Sequence, residues 1–277
     1  MNTLFQCELK LLPGQRPLDA LVKESMLTEE KLVDAALKGA VWISHRPEHK
    51  DGQAGKRTKR LRALDRAVDR GCVLLLNYDE SVLTQLPQNM ICVSDQVNYG
   101  IWDKPPGMLC QGSKWGDHTT ATEVASKITG KKCYLVHRLD KAASGVLLIA
   151  YTKNAAQRLA ALFQHRKITK TYRVKVHGGF DLPLPKVIES PIDGKFASTQ
   201  ITDAVINDNQ LTSDLSIVMR TGRKHQIRRH LAEAGFPVVG DRLYSGNCNE
   251  TEDLQLRARE LRFTCPFSEQ SLHILVS

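Results

Sequence analysis

What this sequence lacks narrows its function first. Its seven cysteines are scattered along 277 residues with no C-x-x-C pair. That spacing excludes a structural zinc site and a disulfide framework, so reduced, mostly buried thiols are expected. No run of 18 apolar residues occurs, MNTLFQCELK carries no signal-peptide pattern, and no amphipathic or lipidated anchor is present. A soluble cytoplasmic monomer without a membrane partner is therefore expected. Neither a metal-ligand spacing nor a phosphate-cradling glycine loop is found, so no metal and no cofactor is expected. Acidic residues are in deficit too: 30 Asp and Glu face 39 Lys and Arg, for a net charge of +9. A pI near 9.2 favours an anionic partner, nucleic acid before membrane.

What is present is enough for a sizeable core, with 42% hydrophobic residues, arranged as one large domain or a small and a larger one. The chain is organised around Leu135–Ala150, LVHRLDKAASGVLLIA. Its apolar, β-branched flanks read as buried strands. Between them stand His137, Arg138, Asp140 and Lys141. Nearby cations hold a carboxylate ionised even in a dry pocket, and an ionised, positioned aspartate serves as nucleophile or general base. A turn or a surface ion pair is the plainer alternative for the same residues.

Taken in order, Arg16–Leu21 begins an amphipathic helix, and Thr28 caps a second over 31–38. Two short strands are expected at 40–44 and 72–77. Between them, 46–70 holds nine Lys and Arg against four acids. Its cluster Lys56, Arg57, Lys59 and Arg60 follows two glycines. It reads as a mobile loop, either simply solvated or an electrostatic clamp on phosphates. Residues 84–89 read as a linker. A hairpin over 91–102, the rigid turn Lys104-Pro105-Pro106-Gly107, and a helix at 120–127 come next. Residues 153–166 form an amphipathic helix with Ala156, Leu159, Ala160 and Phe163 on one face. A strand over 167–176 carries Tyr172, an Asp193-Gly194 hairpin turn follows, and 211–220 returns as a strand. The segment 220–229, RTGRKHQIRR, has basic residues and no acid and enters a helix with Ile227, Leu231 and Ala234 on its buried side. Gly222 before that helix suggests a phosphate seat on free N–H groups, with a solvated basic face as the alternative. Strands at 261–265 and 271–276 close the sheet.

Four of these blocks, in this order, resemble one family. HRLDKAASG is similar to the HRLDxxTSG signature of the RluA-type RNA pseudouridine synthases, with Ala143 in place of the usual Thr. The K-P-P-G turn (Asp103 standing where Asn is common), the K-x-Y strand, and TGRKHQIRRHLAEAGFPVVGDRLYSG resemble the family's other motifs. PIDGKFAST looks like one of its connections. The N-terminal helices and strand resemble the alpha-L type RNA-binding module shared with a ribosomal protein, without its usual V-x-V-N-G.

The resemblance implies an α+β fold with a mixed, mostly antiparallel sheet: a small RNA-binding domain over 1–88 and a catalytic domain over 89–277. It implies an isomerase that flips a uridine out of structured RNA, ribosomal RNA before transfer RNA. Asp140 would be the catalytic carboxylate, attacking the anomeric carbon or abstracting a sugar proton, with Arg228 paired to it. Tyr172 would stack on the uracil or take the proton from carbon 5. Arg138 would fill the vacated stack, and Arg223, Lys224, His225 and the basic loop would hold RNA. Asp241 and Tyr244 read as loop-shaping. A catalytically inactive RNA-binding or assembly factor is the alternative from another class. A base-releasing glycosidase fits less well, because such enzymes use two flanking carboxylates and cations surround Asp140.

Overall fold

The computed structural model describes residues 3–44, 58–207, 211–246 and 251–276, and the chain divides into two compact units. The first contains residues 1–87 together with 111–124. In it β1 (Leu4–Leu11), β2 (Val41–Ser44), β3 (Thr58–Arg60) and β4 (Cys72–Asp79) form an antiparallel sheet of order β1-β4-β2-β3. Against it pack α1 (Pro17–Ser25), α2 (Glu29–Leu37) and the short α3 (Glu80–Leu83), around Leu21, Leu32, Ala35, Leu74 and Leu76. Pro17 opens α1 with its φ already helical, and Thr28 caps α2 by accepting from the Lys31 N–H.

Two features of this unit were not foreseen. One is β1, an N-terminal strand whose alternation is exposed on one side and only half-buried on the other. The other is the return of 111–124 to this unit, fixed by ion pairs described below.

The second unit contains residues 88–110 and 125–277. Its strands are β5 (Ile91–Asp95), β6 (Tyr99–Lys104), β7 (Tyr134–Leu135), β8 (Ser144–Ala150), β9 (Thr169–His177), β10 (Lys186–Glu189), β11 (Ser198–Ile206), β12 (Thr212–Met219), β13 (Leu256–Thr264) and β14 (Ser271–Leu275). They form one sheet of order β10-β11-β12-β9-β13-β8-β6-β5, with β14 added on β13 and β7 on β8. Every pairing is antiparallel except β8 with β13. The helices are α4 (Ala121–Thr129), which crosses from one unit to the other in sequence, α5 (Lys153–Gln164) and α6 (Gln226–Glu233). On α5 Ala155 and Leu159 are buried, and Ala156, Ala160 and Phe163 of the expected face are half-buried. Strand β8 is buried from Gly145 to Ala150, as its unbroken apolar run requires of a central strand.

Candidate active site

Asp140 sits in the loop that delivers the chain into β8, and this loop is held by buried side chains. His137, the first residue of the HRLD motif, stacks on Phe163 with ring centres 4.3 Å apart. Its Nε2 accepts the Leu148 N–H at 2.9 Å. Burial, aided by the Lys170 charge, pushes its pKa down to about 3, so the ring stays a neutral acceptor. The Cys110 thiol lies 3.3 Å from both the N–H and the carbonyl oxygen of Leu139. Lys104, fully buried, donates to the carbonyls of Pro105, Met108 and Lys141. Two side chains of the K-P-P-G-M-L-C segment thus hold the residues on either side of Asp140. Burial pulls the Lys104 pKa down to about 8. Beyond Asp140, Gly145 has φ +109, and a Cβ there would collide with the Ala258 carbonyl oxygen. Only glycine fits that crossing of β8 and β13.

The cation that meets Asp140 comes from a distant part of the chain. Arg228 Nη1 lies 3.6 Å from Asp140 Oδ2, whereas the sequence neighbours Arg138 and Lys141 are exposed. Arg228 is itself gripped in a bidentate pair by Asp241, at 2.7 and 2.6 Å. Asp241 is fully buried and also accepts the N–H groups of Leu243 and Tyr244. Burial pushes its carboxyl up, but these donors outweigh burial and leave it below the ordinary range. Asp241 therefore shapes its loop, as read from sequence, and in addition orients the arginine.

The neck of α6 is pinned by Gln226, a residue the sequence reading did not single out. Its buried amide accepts from Thr221 Oγ1 and the Arg223 N–H and donates to the Ser198 carbonyl and Thr199 Oγ1. Because the Arg223 N–H is taken, the expected phosphate seat after Gly222 loses that donor. Arg223 Nε donates to the Phe196 carbonyl, and Lys224 is exposed. His225 takes φ +54 at the start of α6. Its Nε2 stands 3.9 Å from Asp140 Oδ1, and its Nδ1 is 2.9 Å from Tyr244 Oη.

Tyr172 is buried on β9. Burial first, then the Asp140 charge, drives its phenol well above the usual range. A pocket of about 240 Å³ opens in front of Asp140, bounded among others by Lys141, His225, Arg228, Arg242 and Leu243.

The basic loop is placed differently. Lys56 and Arg57 lie outside the described residues, and Lys59 is exposed on β3. Arg60 is not a free cation. It lies over the Trp42 ring at 4.2 Å, pairs with Asp117 at 2.8 Å and donates to the carbonyls of Gly39 and Ser113. Arg62 joins it on Asp117 at 2.7 Å. Strand pairing carried these residues into the first unit, where they bind 111–124 rather than solvent. No group of His, Cys, Asp and Glu that could hold a metal occurs among the described residues.

Comparison with known proteins gives the family. Residues 98–233 match the family model described as RNA pseudouridylate synthase. The tRNA pseudouridine synthase C of Vibrio vulnificus is 31% identical over 206 residues, covering 62% of this chain and 84% of that protein. An uncharacterized RNA pseudouridine synthase of Helicobacter pylori is 30% identical over 205 residues, 68% of this chain and 67% of that protein. The ribosomal large subunit pseudouridine synthase D of Buchnera aphidicola is 29% identical over 199 residues. That alignment spans 64% of this chain and 62% of the relative's length. The fold is similar to that of human RNA pseudouridylate synthase domain containing 1, with a TM-score of 0.58 and 22% identity over 70% of this chain and 86% of that one. The mixed sheet is that of the pseudouridine synthase fold. The chain belongs to the RluA-type RNA pseudouridylate synthase family.

Proposed function

We propose that this protein isomerises a uridine of structured RNA to pseudouridine with Asp140 as the reacting carboxylate. The observation that carries the reading is the placement of Asp140: on a pocket, 3.6 Å from an arginine that a fully buried aspartate holds in place. A fixed cation aims the carboxylate without hydrogen-bonding it away from a substrate.

The target base leaves its stack at a cost of a few kcal/mol. Arg138, exposed at the loop tip, is suited to fill the vacated place. Asp140 then attacks the anomeric carbon or removes a sugar proton, and both routes free the uracil to rotate and rejoin through carbon 5. Tyr172, whose phenol feels the Asp140 charge, would stack on the uracil or take the proton from carbon 5.

The N-terminal unit, with Lys59 exposed on β3, is proposed to add sequence-independent phosphate contacts. Ribosomal RNA is favoured as substrate by the likeness of that unit to a ribosomal-protein module, although relatives are named for both ribosomal and transfer RNA. The test is to incubate the purified chain with ribosomal and transfer RNA from cells lacking its gene and map new pseudouridines. One modified position in large-subunit RNA is expected. A site in transfer RNA would correct the substrate, and no product in either would contradict the activity.

A further inference from the structure

Three cations drawn into the second unit have partners. Arg228 is held by Asp241, Arg257 by Asp103, and Lys104 by three backbone carbonyls. Lys170, half-buried at the start of β9, is different. Its ammonium makes no hydrogen bond and no ion pair among the described residues. Burial pulls its pKa below the ordinary value, and no carboxylate pushes it back. A charge withdrawn from water without a counter-charge weakens the fold that holds it. The missing partner is expected from outside the chain.

We propose that Lys170 and the turn at Gly222 form a site for one phosphate of the RNA backbone beside the target uridine. The role rests on the isomerase reading above and names the part of the substrate that this face of the sheet holds.

Strand β9 pairs with β12 in unbroken register from Lys170 to His177, so Lys170 and Tyr172 project from the same face. Two residues along a strand cover about 7 Å, comparable to the span from a nucleobase to its own phosphate. Both side chains lie within electrostatic range of the HRLD loop. Tyr172 feels the Asp140 charge, and His137 feels that of Lys170.

The ammonium also faces the turn that leads into α6. A Cβ built on Gly222 would have Lys170 Nζ, at 3.5 Å, as its one neighbour beyond the adjoining residues. The space in front of this glycine is therefore open, with the ammonium at its edge. The Gly222 N–H makes no hydrogen bond among the described residues, so it can donate into that space. The Arg223 N–H, offered by the sequence as a donor here, is spent on Gln226. Residues 220–229 contain no acid, and Arg220 and Lys224 are exposed on the same turn. A lysine serves phosphate as a point charge, without the planar fork that arginine offers a carboxylate. Gly222 is exposed, which leaves the site open to a passing strand.

The test uses the full chain and two variants. Lys170→Met keeps the apolar stem and removes the charge. Gly222→Ala fills the space without backbone strain, because this glycine's φ lies outside the left-handed region. Urea midpoints are read in inorganic phosphate and in chloride of equal ionic strength. Phosphate stabilises proteins generally by exclusion from their surface, so the quantity compared is the excess gain of wild type. Wild type should gain more from phosphate than either variant, and in chloride Lys170→Met should be no less stable than wild type. Affinity for bulk RNA from cells lacking the gene should fall about tenfold at low salt in Lys170→Met. The slope of its log affinity against log salt should flatten by about 0.7.

A phosphate gain in either variant equal to that of wild type would overturn the site. A Lys170→Met chain that unfolds more readily in chloride would make the lysine a support of the fold and overturn it as well. An unchanged salt slope with the phosphate gain lost would make free phosphate the occupant and overturn the assignment to RNA. None of these measurements reads product. The isomerase reading fails separately, by absence of new pseudouridine in the mapping experiment above, and the target uridine falls with it.

Discussion

Arg228 and Asp241 form an ion pair that is almost wholly out of water. Such a pair adds little net stability, but removing one partner strands the other charge at a cost of about 3–5 kcal/mol. Asp241→Ala should lower unfolding stability by that amount in urea titration. Arg228→Ala should lose turnover out of proportion to RNA affinity, because Asp140 loses the cation that aims it. If Arg228 served only to contact phosphate, affinity would fall and saturated turnover would survive.

Lys104 makes a prediction in pH. Its pKa falls to about 8 in the folded chain from an ordinary value of 10.5, so between those values the unfolded chain binds more protons. Stability from this residue therefore rises with pH across that window, by up to about 3 kcal/mol. Measured against Lys104→Met, wild type should gain stability between pH 7 and pH 10. A constant difference would mean the lysine is not buried as a charge.

At the scale of elements, the sequence carried most of the plan. Helices α2, α5 and α6 were legible from caps and apolar spacing, and β8 from its unbroken run. The sequence reading erred where the partner was remote. The basic, glycine-bearing composition of 50–62 predicts a mobile loop. Yet Thr58–Arg60 pairs with β2 and turns Arg60 inward onto Trp42 and Asp117. Nothing local announced Asp117 as the acceptor, since it lies 57 residues on.

The same holds in the candidate site. Motifs single out Asp140, Arg228 and Tyr172, whereas the grip of Asp241 on Arg228 and the bonds of Gln226 exist only after folding. Arg60→Ala should destabilise the protein while leaving the salt dependence of RNA affinity unchanged. Lys59→Ala should leave stability intact and flatten the slope of log affinity against log salt by about 0.7, the value for one contact to single-stranded RNA. A flattened slope in Arg60→Ala would return that residue to the RNA surface.

At the scale of the molecule, division of labour explains why affinity and chemistry should separate. Under the proposed function, positive charge spread over the chain supplies the phosphate contacts, and the loop between β7 and the buried β8 supplies the reaction. Replacing the reacting oxygen's charge should therefore stop product formation and leave binding in place. The most direct test is Asp140→Asn, assayed for pseudouridine formation in a single turnover and for RNA affinity in the same buffer. No detectable pseudouridine with affinity close to wild type is the predicted result. Product formed at a rate near wild type by the purified variant would contradict the account.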